Sequence, residues 1–162
     1  MSEYQDYKAR FDKNRAALQI PPDCTAHAPQ YSTFDPIAPT TWDLRWLLTF
    51  TDKHYIRCRE FWSCRTNPSL RHIFTFHYGP IVNQDATGKI DRHHTDPVLI
   101  RFDKKGGGPP HLHYRKPEPH YDQSRVQGLA LDDVDMFQFV NAVFSVRAGK
   151  TDFHDVLGFT LK

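Results

Sequence analysis

The chain of 162 residues is poor in cysteine and has no long apolar run. Its three cysteines, Cys24, Cys58 and Cys64, include no CxxC pair and are odd in number, which argues against a disulfide framework and a classical zinc site. No stretch approaches the roughly 18 to 20 apolar residues of a membrane span, and the first residues lack the apolar segment of a signal peptide. We therefore expect a cytoplasmic protein with no membrane partner.

The chain also lacks a large excess of charge of either sign. Lys and Arg number 21 against 19 Asp and Glu, so the formal net charge is only +2, and a nucleic-acid surface would need local clustering of basic residues. Aromatic residues are abundant, with twelve Phe, seven Tyr and three Trp. A chain of this length can bury a core without metals or disulfides, and we expect that core to be rich in aromatic rings.

Two helices are predicted, one near each end of the chain. Residues 3 to 19 space their aromatic side chains roughly as a helix does and stop before Pro21 and Pro22. Residues 21 to 41 hold five prolines, which is typical of an extended connector. Residues 117 to 131 are expected to be irregular. A second helix is predicted to start at Asp132 as its cap, with a buried stripe of Met136, Phe137, Val140, Val143 and Phe144.

From Trp42 the pattern changes to the two-residue period of β-strands. It predicts a hairpin over residues 42 to 61 and strands over 71 to 78, 98 to 102 and 111 to 115. The last of these strands is expected to be short or at an edge of the sheet, because nearby prolines lack the N–H donor that strand pairing needs. The predicted fold class is α+β, an antiparallel meander of four to five strands packed against the C-terminal helix. Residues 1–41 would precede a core of residues 42–162 in a single domain.

Histidines and arginines of these strands alternate with the aromatic residues. If the strands pair in order, one face of the sheet, which we call the His/Arg face, collects Arg57, Arg59, His77, Arg101, His111, His113 and Arg115. Arginine binds phosphate through paired N–H donors and imidazole transfers protons near neutral pH, so this face suits phosphodiester binding and RNA cleavage. The candidate catalytic residues are His111, His113, His77 and His120. The candidates for nucleic-acid binding are Arg57, Arg59, Arg101, Arg115, Lys104 and Lys105.

Other interpretations of the same residues remain open. The polar side chains could form an ordinary solvated sheet face. His111 and His113 also have the spacing of two metal ligands on one strand, and such a site would prefer zinc or manganese. Our expectation is a protein without a cofactor, with zinc or manganese at these two histidines as the alternative. Candidates for a third ligand are His120, His93, His94 and Asp103.

The order of motifs between residues 44 and 144 resembles the TumE-like toxins of bacterial and archaeal toxin–antitoxin systems. The matching segments are LRWLLTFTDKHYIRCREFW, IFTFHYGP, PVLIRFDKKGGGPPHLHY and PHY, followed by a helix with an acidic cap. That family has a hairpin strand ending in Arg-Glu, an aromatic strand with a His-Tyr pair, a strand with an Arg-aromatic-Asp motif, and a histidine-rich segment after proline. The matching residues are Phe50, Asp52, Arg59, Glu60, Phe76, His77, Tyr78, Arg101, Phe102, Asp103, Pro110, His111 and His113.

The resemblance implies a small cytosolic toxin that is countered by a cognate antitoxin and has RNA as its target. Histidine chemistry without a metal would make it a metal-independent endoribonuclease. The alternative is a noncatalytic accessory subunit of a prokaryotic defence complex, which binds nucleic acid or a partner protein and positions phosphates without cutting them. A homodimer is compatible with either function.

Overall fold

The computed structural model describes residues 2–35, 40–64, 70–85, 90, 98–106, 108–114, 120–149 and 152–162. The element order is that of an α+β protein, as predicted, with a run of strands between the first helix and the helices near the C-terminus. The helices are α1 (Glu3–Ala17), α2 (Met136–Arg147) and α3 (Phe153–Leu157), with two short 3₁₀ turns at Gln123–Arg125 and Leu131–Asp133. The strands are β1 (Cys24–Ala26), β2 (Gln30–Thr33), β3 (Thr41–Phe50), β4 (His54–Ser63), β5 (Leu70–Pro80), β6 (Ile100–Lys104), β7 (His111–Tyr114), β8 (His120–Asp122), β9 (Val126–Gln127) and β10 (Thr160–Leu161).

Within these residues the main sheet has eight antiparallel strands. From β3 to β8 each strand pairs with the next, which confirms the predicted meander. The sheet is wider than four to five strands because the proline-rich connector supplies β1 and β2, which both pair with β3. Residues 120–122, expected to be irregular, form β8 against β7. As a result β7 is short, as predicted, but has a neighbour on each side and is not an edge strand.

The helices α1 and α2 pack on the aromatic face of the sheet. The ring of Phe11 in α1 lies 5.4 Å from that of Trp46 in β3 and 5.2 Å from that of Phe137 in α2, centre to centre. Farther along α2, Phe139 contacts Phe76 at 5.8 Å. Removing these rings from water stabilises the fold, so the core lies between the two helices and one face of the sheet. None of the described helices is long and apolar enough to cross a membrane.

Helix α2 begins later than the sequence predicts. Its cap is Asp135, whose carboxylate accepts hydrogen bonds from the backbone N–H groups of Phe137 (2.8 Å) and Gln138 (3.2 Å). The Gln138 side chain completes a capping box. Asp132, the predicted cap, lies in the preceding 3₁₀ turn, and its carboxylate binds Lys104 instead.

Candidate active site on the His/Arg face

The strand register gathers basic and histidine side chains into two adjacent rows across the sheet. Partners in antiparallel strands project their side chains to the same face, so each row lies on one side of the sheet. The first row, from β4 to β8, is Arg57, His77, Arg101, His113 and His120. The second row, from β3 to β8, is Arg45, Arg59, Thr75, Asp103, His111 and Asp122.

His111, His113 and His120 form a cluster at the β7–β8 end of these rows. Their ring centres are 5.0 Å apart for His111 and His113, 5.2 Å for His111 and His120, and 4.1 Å for His113 and His120. One ring nitrogen from each residue lies within 4.8 Å of the other two. His113 is fully buried, His111 is partly exposed and His120 is exposed. Solvent and a substrate can therefore reach His111 and His120.

Asp103 and Arg101 support the cluster from the neighbouring strand β6. Asp103 Oδ1 lies 3.1 Å from Nε2 of His111, and Asp103 Oδ2 lies 2.7 Å from Nε of Arg101. Arg101 in turn places its Nη2 2.6 Å from Nε2 of His113. Asp103 is only 4% exposed and Arg101 only 7%, so this ion pair is shielded from water and each charge is held by more than one partner. The contacts fix the orientation of both imidazole rings.

The pKa of the Asp103 carboxyl lies below its ordinary value. Burial is the largest influence and raises the pKa, but hydrogen bonding to His113 and the electrostatic influence of His111, His113 and Lys105 together lower it by more. Asp103 is therefore ionised at neutral pH and is available as an acceptor for His111.

His77 does not join the other three candidate catalytic histidines. It is fully buried, and its ring lies 4.9 Å from the ring of Tyr55. Strand β6 lies between His77 in β5 and the histidines of β7, which separates them by two strand spacings, or about 10 Å. The cluster that can exchange protons with a substrate consists of β7 and β8 residues.

The candidate arginines occupy different surroundings. Arg59 binds the carboxylate of Asp43 through Nε (2.9 Å) and Nη2 (3.0 Å), and Arg45 shares that carboxylate. Arg57 is partly exposed and stands in the same row as His113, three strand spacings or about 14 Å away. Arg115, together with His93 and His94, lies outside the described residues.

The two candidate lysines differ in position. Side-chain alternation along β6 places Lys104 on the helix-covered side of the sheet and not on the His/Arg face. There its ammonium is 2.9 Å from each carboxylate oxygen of Asp132. Lys105 is exposed and close enough to Asp103 to lower its pKa.

Sequence reasoning considered Asp103 only as a possible metal ligand and missed its contact with His111. The sequence does contain a pattern that predicts this contact. Arg101 and Asp103 alternate on one strand as His111 and His113 do on another, which predicts that the four side chains share a face.

The resemblance to TumE-like toxins rests on motif order alone, so the function has to be argued from the site. No protein-family model, no curated protein and no solved structure matches the chain.

Proposed function

We propose that the protein is a toxin-like RNA endonuclease that cleaves phosphodiester bonds by acid–base catalysis on the His/Arg face, without a metal ion. The observation that carries this proposal is the accessible pair His111 and His120, with ring centres 5.2 Å apart and a buried carboxylate, Asp103, behind one of them. Cleavage of RNA through its own 2′-hydroxyl needs one group to take a proton and a second to supply one. Two accessible imidazoles meet that need.

In the proposed reaction His111 is the base and His120 the acid. His111 removes the proton of the 2′-hydroxyl, the 2′ oxygen forms a bond to phosphorus, and the bond from phosphorus to the 5′ oxygen breaks. Protonated His120 gives its proton to the departing 5′ oxygen. The products are a 2′,3′-cyclic phosphate and a 5′-hydroxyl end.

Asp103 and Arg101 prepare the site for this reaction. Asp103 Oδ1 lies 3.1 Å from Nε2 of His111, so in the proposed reaction Nδ1 is the nitrogen that faces the substrate, and the ionised carboxylate stabilises the imidazolium that forms. Arg101, whose charge is paired with Asp103, holds the ring of His113 in place beside the two accessible histidines. His120 is exposed on a short strand, so its ring can turn to admit a phosphate group beside His111.

One more basic residue of the row is accessible to a bound strand. Arg57 is partly exposed, whereas the row members between it and His120 are buried, so a single RNA strand can place a second phosphate at Arg57 but would not contact the rest of the row. Lys105 adds a further positive charge next to the cluster. The site therefore favours a single-stranded polyanion over a small neutral substrate.

The alternative function, a noncatalytic accessory subunit, requires phosphate contacts but no proton transfer. A surface that only holds phosphates gains nothing from a buried carboxylate, because the negative charge of Asp103 offsets the positive charge of Arg101. An oriented histidine does need such a carboxylate. This favours catalysis, and the motif order favours a cytoplasmic toxin with a cognate antitoxin.

Induction of the protein in cells tests the proposal. Wild type should slow growth and degrade RNA, whereas His120→Ala should do neither while accumulating to the same level. His27→Ala is a matched control, since His27 is also exposed and follows β1 at the opposite edge of the sheet. Normal growth with intact RNA on induction of wild type would contradict the proposal, and so would equal toxicity of His120→Ala.

A further inference from the structure

We propose that His111, His113 and His120 also form a binding site for a divalent transition-metal ion, preferably zinc, and that the bound ion blocks RNA cleavage. The inhibitory role rests on the proposed function. The metal site itself does not, because it follows from the placement of the three rings.

The spacing of the rings suits a single tetrahedral ion. With a Zn–N distance of about 2.1 Å, two imidazoles on one zinc have their ring centres about 5 Å apart. The observed separations of 4.1, 5.0 and 5.2 Å lie around this value. The nitrogens, within 4.8 Å of one another, need only small side-chain rotations to converge, and the exposed ring of His120 is free to make them.

The surroundings of His111 also match those of a metal ligand. A zinc-bound histidine commonly donates a hydrogen bond from its second nitrogen to a carboxylate. Nε2 of His111 lies 3.1 Å from Asp103 Oδ1, which leaves Nδ1 for an ion. Three nitrogen ligands favour zinc over manganese or magnesium, which prefer oxygen, and they leave a fourth position for water or a phosphate oxygen.

Arg101 limits the affinity of this site. Its Nη2 lies 2.6 Å from Nε2 of His113, and because a guanidinium can only donate, this contact occupies a nitrogen lone pair, so His113 has to turn away from Arg101 to bind the ion. A fixed cation beside a doubly charged ion is also repulsive, with Asp103 offsetting one charge. We therefore expect reversible binding, unlike that of a structural zinc. An ion on His111 and His120 occupies the nitrogen lone pairs that the proposed proton transfers require, so occupancy and cleavage exclude each other.

Titration of the purified full chain with Zn²⁺ and Co²⁺, in the absence of RNA, tests the metal site. Calorimetry should show one Zn²⁺ per chain, and Co²⁺ should give the visible absorption of a tetrahedral site. The exposed position of His120 lets His120→Ala fold, which circular dichroism checks, and this variant should bind at least about tenfold more weakly. His27→Ala should bind as wild type does. No binding by wild type, or full affinity in His120→Ala, would overturn the site.

RNA cleavage measured first in EDTA and then with one equivalent of Zn²⁺ tests the inhibitory role. Full activity in EDTA, its loss with zinc and its return on chelation are expected. Cleavage that requires zinc would overturn both the inhibitory role and the metal-free mechanism. Cleavage unaffected by bound zinc would overturn the inhibitory role alone. No cleavage under any condition would overturn the proposed function together with the inhibitory role, and the titration would still decide the metal site.

Discussion

Nε2 of His111 lies 3.1 Å from Oδ1 of Asp103, and the two residues are direct partners on the adjacent strands β7 and β6. The contact is therefore built into the register of the sheet. Because Asp103 is buried, water does not compete for its carboxylate, and the contact with the imidazole is stronger than the same contact in water would be. A histidine anchored through one nitrogen presents the other in a fixed direction, as acid–base catalysis requires.

Replacement of Asp103 by Asn should separate catalysis from binding. The change keeps the shape but removes the charge that supports His111 and pairs with Arg101. The cleavage rate should fall by about 10²-fold or more, since general acid–base catalysis contributes about 10²- to 10⁴-fold. The loss of the Arg101 counterion should also lower the free energy of unfolding. RNA affinity should stay equal or rise slightly, because one negative charge leaves the His/Arg face. The control is Asp122→Asn. Asp122 is the β8 partner of His111, but its carboxylate accepts a hydrogen bond from the backbone N–H of Ser124, whereas that of Asp103 faces the imidazole. Equal rates for Asp103→Asn and Asp122→Asn would contradict the account.

His113 and His120 should differ in their contribution to stability. His113 is fully buried against Arg101, so His113→Ala should leave a cavity and remove one partner of the Arg101 guanidinium, and lower the free energy of unfolding by about 2 to 4 kcal/mol. His120 is exposed, so His120→Ala should change the free energy of unfolding by less than about 0.5 kcal/mol. Urea denaturation measures both. A similar loss in the two variants would mean that the burial difference has no energetic weight.

Arg57 should bind phosphate without taking part in the chemistry. Arg57→Ala should weaken RNA binding for all sequences and reduce the slope of log K against log salt by about 0.7 for a single strand. Lys13→Ala removes an exposed positive charge from α1, on the helix-covered side, and should leave affinity and slope unchanged. Binding isotherms at several salt concentrations give both quantities, and parallel slopes for wild type and Arg57→Ala would exclude this phosphate contact.

The helix-covered face holds a buried carboxylate that stabilises the fold. Glu60, 5% exposed, accepts hydrogen bonds from Tyr7 Oη (2.7 Å), Trp62 Nε1 (3.0 Å) and Arg71 Nη1 (3.0 Å). Glu60→Gln leaves the Arg71 charge without its counterion and should lower the free energy of unfolding by about 3 kcal/mol. The exposed Asp6→Asn change in α1 is the control. If both variants unfold at the same denaturant concentration, this cluster does not anchor α1 to the sheet.

Side-chain alternation along the strands carried most of the correct predictions. The two-residue period predicted the hairpin of β3 and β4 and placed Arg57, His77 and Arg101 on the face opposite the aromatic residues, where the register has them. The short strands β1, β2 and β8 were not predicted, because three or four residues are too few to show a period. Their place in the sheet depends on pairing with distant residues.

The errors within the site have local causes. Alternation predicts which face a residue lies on but not how deeply it is buried, so the complete burial of His77 could not be expected. Side-chain alternation from His77 back along β5 predicts Arg71 on the same face as His77, yet its guanidinium binds Glu60 on the helix-covered side, because the register shifts between Phe61 and Trp62. A β-bulge of this kind has no sequence signal in the alternation pattern.

The central claim is that His111 and His120 cleave RNA by proton transfer without a metal. Analysis of the product ends after incubation of purified wild type with RNA in EDTA tests it most directly. The account predicts 2′,3′-cyclic phosphate and 5′-hydroxyl ends, which are absent with His111→Ala and with His120→Ala and present with His27→Ala. Products with 5′-phosphate ends, or cleavage that stops in EDTA and resumes with added metal, would contradict it.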